Sequence, residues 1–123
     1  MTIKKMEIPI LLNYLDNNGY QIWLTSDHGN IESHGKGRPS EGAIAESRGE
    51  RVRVYPTPEL RTQIFDSFPF AREWQPTGLP ENYFPLVATG RDAFINVGNS
   101  IVGHGGISIE EVIVPLIKIE RRT

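Results

Sequence analysis

The sequence predicts an α/β fold, and three observations carry that prediction. Across residues 4–18 the apolar side chains Ile8, Leu11, Leu12 and Leu15 recur at i, i+3, i+4 and i+7, which is one stripe of an amphipathic helix. A short connection through Gly19 leads into residues 20–25, where Tyr20, Ile22, Trp23, Leu24 and Thr25 favour a buried strand. The run Ser26-Asp27-His28-Gly29-Asn30 then stands where that strand ends, and open α/β sheets hold their chemistry at the carboxyl ends of strands.

The remaining elements follow from local chemistry. Pro9 is tolerated only in a first helical turn, so the regular helix starts near Ile8, and Gly19 suits its C-terminal cap. Glycine, proline and basic side chains crowd residues 33–42, which reads as a loop. Arg51-Val52-Arg53-Val54-Tyr55 alternates as a half-exposed strand does, and Pro56 and Pro58 end it. Residues 58–65 form a short helix with Thr57 as cap and Pro58 at its first position.

Four prolines and large aromatics make 68–85 an irregular wrap, anchored by Phe68, Phe70, Trp74, Tyr83 and Phe84. Two short strands, 86–89 and 93–97, flank the turn at Gly90-Arg91-Asp92. Ser108 and Glu111 have capping-box spacing at a helix start, and a β-branched run follows over 112–119. Pro115 makes that last strand an edge or a bulged one.

Composition narrows the function classes. The chain has 123 residues, enough for one domain or for part of a larger one. It has no cysteine, which excludes thiol catalysis, cysteine-type zinc sites and disulfides, and fits a reducing compartment. A net charge of −2 from 13 basic and 15 acidic residues supplies no field toward nucleic acid or an anionic membrane. No apolar run approaches the roughly 18 residues of a membrane span, and no signal-peptide core follows the first residues. The expectation is a cytoplasmic protein without a membrane partner and without direct nucleic-acid binding.

Three histidines are available, His28, His34 and His104. Asp27 and His28 at a strand end can converge on one ion, with Gly29 permitting the tight backbone; read alone, Asp27 could equally cap a turn and His28 lie on the surface. His104 stands between Gly103 and Gly105-Gly106 with the same two readings. His34 ranks below both because it falls in the predicted loop. Arg48, Arg51 and Arg53 could grip a phosphate bidentately or could line an exposed strand face, and Trp74 or Tyr83 could stack on a base but read mainly as core.

Taken together, three ordered segments are more specific. Thr25-Ser26-Asp27-His28-Gly29-Asn30-Ile31-Glu32, then Arg48-Gly49-Glu50-Arg51, then Gly103-His104-Gly105-Gly106-Ile107-Ser108-Ile109-Glu110-Glu111-Val112-Ile113-Val114-Pro115-Leu116 resemble the C-terminal part of PglZ domains of the alkaline phosphatase superfamily. Cofactor-independent phosphoglycerate mutase relatives share the Asp-His-Gly run, but the His104 segment fits PglZ better.

The resemblance implies the C-terminal part of an alkaline-phosphatase-like sheet flanked by short helices, in one subdomain over 1–123 that is a fragment of a larger protein. It also implies a two-metal site, zinc or manganese, for phosphate-ester hydrolysis or transfer in bacterial phage defence. Asp27 and His28 would ligate one ion and His104 the other, with Arg48 and Arg51 steadying the phosphate. The family's nucleophile and further ligands lie on preceding segments, so this chain alone is expected to show no turnover. The rival class is a non-catalytic interaction or oligomerisation module, self-associating through an exposed sheet edge.

Overall fold

The computed structural model describes residues 7–40 and 46–123, and the side chains of 46–48 fall outside that description. The chain divides into two compact units, one formed by the segments up to Asp27 and from Val114 onward, the other by His28–Ile113.

In the first unit, helix α1 (Ile8–Asn17) starts at Ile8, the first residue of its apolar stripe, with proline in its first turn as expected. Strand β1 (Ile22–Thr25) pairs antiparallel with the chain's last strand, Leu116–Ile119, in the register Ile22 to Ile119 through Thr25 to Leu116. The Thr25 hydroxyl extends that pairing by donating to the Pro115 carbonyl at 2.6 Å. Contrary to the buried strand read from the sequence, Trp23 is 51 % exposed and Leu24 53 %, facing opposite sides of a two-stranded ribbon. A strand apolar on both faces has the pattern of a sheet interior, and two strands with one helix do not supply that interior.

The second unit holds two sheets. One has three strands: β2 (Ile31–Gly35) lies between β7 (Asp92–Ala93), to which it is parallel, and β8 (Ser100–Gly103), to which it is antiparallel. Strand β2 overlaps the start of the segment read as loop, at residues 33–35. Ile31, Ser33 and Gly35 are buried while Glu32 and His34 are exposed, an alternation that glycine-rich composition masked. Residues 41–42 of that predicted loop lie outside the described residues.

The other sheet runs β3 (Glu46–Arg48), β4 (Val52–Tyr55), β6 (Phe84–Ala88), β5 (Ala71–Glu73). Strand β4 was read as half exposed; all four of its residues are buried, because β3 and β6 flank its edges and side chains cover both faces. On one face Tyr55, Ala71, Leu86, Ala88 and Phe94 pack with Leu60, Ile64 and Phe65 of helix α2 (Pro58–Ser67) and with Phe68 and Phe70. On the other, Val52, Val54 and Val87 pack with Tyr83.

Helix α2 is capped as expected, Thr57 accepting from the Leu60 amide at 3.3 Å. The wrap over 68–85 contains a strand, β5, and the two strands read around Gly90 do not pair with each other: β6 lies between β4 and β5, and β7 pairs with β2. Helix α3 (Ile109–Val112) carries the full capping box between Ser108 and Glu111, and strand β9 (Leu116–Ile119) is shorter than the run read over 112–119. No helix among the described residues is long and apolar enough to cross a membrane.

Phe94 sits fully buried among the rings of Phe68 and Phe70, with centroids 6.2 and 5.1 Å away. Phe94→Ala is therefore expected to cost about 3–5 kcal/mol, read as a lowered midpoint in urea unfolding.

Candidate metal centre

His28 and His104 come from distant parts of the second unit and their rings stack, centroids 4.2 Å apart and planes 16° from parallel. Each backbone is pinned. Next to His28, the Gly29 amide donates to the Glu111 carbonyl at 2.8 Å, and a Cβ at Gly29 would overlap the Glu110 carbonyl. His104 leaves the end of β8 and bridges in parallel to Glu50. At Gly49 φ is +56°, and a Cβ there would overlap the His104 carbonyl, so this approach also requires glycine. Glu50 itself adopts φ +59°, a left-handed backbone that side chains avoid unless their surroundings impose it.

The His28 ring is oriented further by its Nδ1, 2.6 Å from the Gly29 carbonyl. A carbonyl only accepts, so Nδ1 carries a proton, and in the neutral ring Nε2 is the atom left to ligate.

Behind the histidines lies a buried ion pair. Arg51 Nε donates to Glu111 Oε1 at 2.9 Å and Nη2 to Oε2 at 3.0 Å, with both side chains almost fully buried. Glu111 also accepts from the Gly106 amide at 2.9 Å, the Ser108 amide at 3.0 Å and the Ser108 hydroxyl at 2.7 Å. Arg51 Nη1 donates to the Asp92 carbonyl, and the Arg51 carbonyl accepts from Ala88. Glu111 thus ties the residue before β4 to the 106–108 turn that follows His104 through its carboxylate, and holds Gly29 through its backbone carbonyl.

These donors suit a divalent metal in kind, imidazole being a zinc and manganese ligand. Glu50, whose backbone bridges to His104, has a buried Oε2 without a hydrogen-bond partner among the described residues. Among the described residues, no three histidine or carboxylate side chains gather as a complete ligand set. The stacked pair, His28 and His104, supplies two imidazoles where a catalytic zinc takes three protein ligands.

The other residues singled out in the sequence are placed as follows. Asp27 is exposed and closes the first segment of the first unit. The Arg48 backbone pairs with Val52 in β3, and its side chain lies outside the described residues. Arg51, read as a phosphate ligand, is fully buried with its guanidinium engaged by Glu111. His34 is on strand β2, not a loop, with Nδ1 2.9 Å from the Ser100 hydroxyl. The sequence did not single out the Arg51–Glu111 pair; its trace was a charge recurring inside the alternating apolar run of β4. Also missed was a groove of about 350 Å³ lined by His104, Ile107, Trp74, Tyr83, Val52 and Val87 among others.

A family model described as the BREX system PglZ alkaline phosphatase-like domain matches residues 2–119. The chain belongs to the PglZ family. No curated protein and no solved structure matches it. In this PglZ chain the mixed α/β architecture of small sheets and short helices accords with a part of an alkaline-phosphatase-like domain, and alkaline-phosphatase-like domains generally use divalent metals.

The Glu111 carboxyl of this PglZ chain is held at about 2, below its ordinary 4.5. Burial pushes it upward, but the hydrogen bonds from Arg51, Ser108 and Gly106 outweigh that push. The depressed value means that the ionised pair stabilises the fold above the ordinary carboxylate range, and that this stability is lost as pH falls from about 4.5 toward 2. A shift of that size corresponds to about 3 kcal/mol. Glu111→Gln should lower stability at pH 7 by about that much or more, and its gap to wild type should narrow below pH 4.5. Urea unfolding at a series of pH values measures both.

Proposed function

We propose that this chain contributes His28 and His104 to the divalent-metal centre of a phosphoric ester hydrolase or transferase acting in a phage-defence system. The observation that carries the reading is the stacking of two imidazoles from segments at opposite ends of the second unit, in a chain of the PglZ family. Asp27, the residue before His28 in the chain, is the carboxylate assigned with it, and the metal is zinc or manganese. The cysteine-free composition favours a cytoplasmic setting.

A bound divalent ion polarises a phosphoryl oxygen and lowers the pKa of an attacking hydroxyl or water. The chain's own residues prepare for it. His28 donates from Nδ1 to the Gly29 carbonyl, which fixes its tautomer and presents Nε2 as the ligating atom. Glu50 and Gly49 hold His104 at the strand end, and the Arg51–Glu111 pair keeps both histidine segments in register. Arg51 acts here as a positioning group, while Arg48 remains the candidate for steadying the phosphate. The attacking group and the remaining ligands come from polypeptide beyond these residues.

A second reading, an interaction module without chemistry, is favoured by the first unit, where Leu116 is 70 % exposed and Trp23 51 %. A metal titration separates the two. Calorimetry with zinc and with manganese is expected to show binding by the wild type that His28→Ala and His104→Ala each weaken at least about tenfold. Absence of wild-type binding, or binding unchanged in both variants, overturns the metal reading.

A further inference from the structure

The groove beside His104 has a chemical character of its own. Its floor is Val52 and Val87, register partners on β4 and β6 and both buried. Pro85 and Tyr83 continue the floor, and Trp74, 44 % exposed, and Ile107, 38 % exposed, form its rim. Trp74 is fixed at its backbone, where its amide donates to the Pro85 carbonyl at 3.0 Å. Period-two alternation places this surface on the side of the four-stranded sheet opposite the Tyr55–Phe94 core, so the groove is not an extension of that core. Among the described residues that line it, the titratable groups are the His104 imidazole and the Tyr83 phenol, with no lysine, arginine or carboxylate.

The groove lining has two parts of different chemistry. His104, stacked on His28, belongs to the proposed metal centre. Elsewhere the lining is apolar and aromatic, with few groups to pair with the hydroxyls of a sugar, which would lose their water without replacement. A flat ring loses little by that transfer and gains a stacking surface on Trp74 or Tyr83. The volume of about 350 Å³ lies at the small end of ligand sites, enough for one ring system with its linker and not for a folded peptide.

We infer that the groove binds the leaving or retained organic group of the substrate, and that this substrate is a phosphate ester carrying a flat aromatic group, its phosphate directed to His104. This rests on the metal-centre reading for the phosphate end only; the ring site stands on the groove itself. A nucleobase and a simple aryl group share the required chemistry.

The test uses the full chain carrying Trp23→Phe, so that Trp74 is the single tryptophan and its fluorescence reports on the groove. Phenyl phosphate, adenosine monophosphate and glucose 6-phosphate are titrated with and without zinc, alongside phenol and adenosine as ring compounds lacking phosphate. Saturable quenching by the ring compounds but not by glucose 6-phosphate is expected, and Trp74→Leu, followed by ligand-detected NMR, should weaken it about tenfold. Zinc should tighten phenyl phosphate or adenosine monophosphate but not phenol or adenosine, and His104→Ala should abolish that tightening. The phosphate ester that zinc tightens more identifies the source of the ring, aryl or nucleobase.

No ring binding, equal binding of glucose 6-phosphate, or a Trp74 signal that changes only with protein concentration overturns the ring site; the last result would mean that another chain covers the groove. Ring binding with no effect of zinc retains the ring site and overturns the metal-centre reading, so the two failures are told apart.

Discussion

The arrangement of the second unit depends on one buried carboxylate. The Glu111 carboxylate accepts two hydrogen bonds from Arg51, one from the Gly106 amide and two from Ser108, and its backbone carbonyl accepts from Gly29, so the residue joins three segments, around Gly29, Arg51 and 106–111. Burying either charge alone would cost several kcal/mol, so the pair holds only while all three segments are in place. That requirement makes the interaction specific as well as stabilising. His104 stands two residues before Gly106, and the Gly29 amide, next to His28, donates to the Glu111 carbonyl, so the geometry of the two histidines is inherited from the ion pair.

Close backbone approach then does what side chains cannot. Gly29 and Gly49 let the chain pass against carbonyls of residues 110 and 104, and Glu50 accepts a left-handed backbone beside them. Backbone conformations of that kind persist where the surroundings over-determine them. Here the result is two stacked imidazoles beside an apolar groove, a polar head and an apolar trough side by side. A phosphate ester has the same two-part character.

Much of this was legible in the sequence where the signal is local. The helix stripe, the Thr57 cap and the Ser108–Glu111 box each depend on residues within one turn, and each appears where its pattern stands. Signals that depend on distant partners were misread. Glycine-rich residues near His34 looked like loop, yet β7 and β8 recruit them as a strand. Arg51 reads from sequence as a phosphate ligand or as part of an exposed strand face because its partner lies sixty residues downstream. Trp74 and Tyr83 read as core since aromatic residues usually are; only the fold shows that they border a groove. Family resemblance, carried by ordered motifs, reached further than periodicity did, and the match over 2–119 bears it out.

The central claim is that the Arg51–Glu111 pair holds His28 and His104 together. Nuclear Overhauser contacts between the two imidazole rings test it most directly, in the wild type and in the paired replacement Arg51→Met with Glu111→Leu, which removes the clamp without leaving a buried charge. The contact should be present in the wild type and lost in the double variant, while the ring contacts of Phe94 with Phe70 persist in both. Rings that never meet in the wild type, or that stay in contact once the pair is gone, would contradict it.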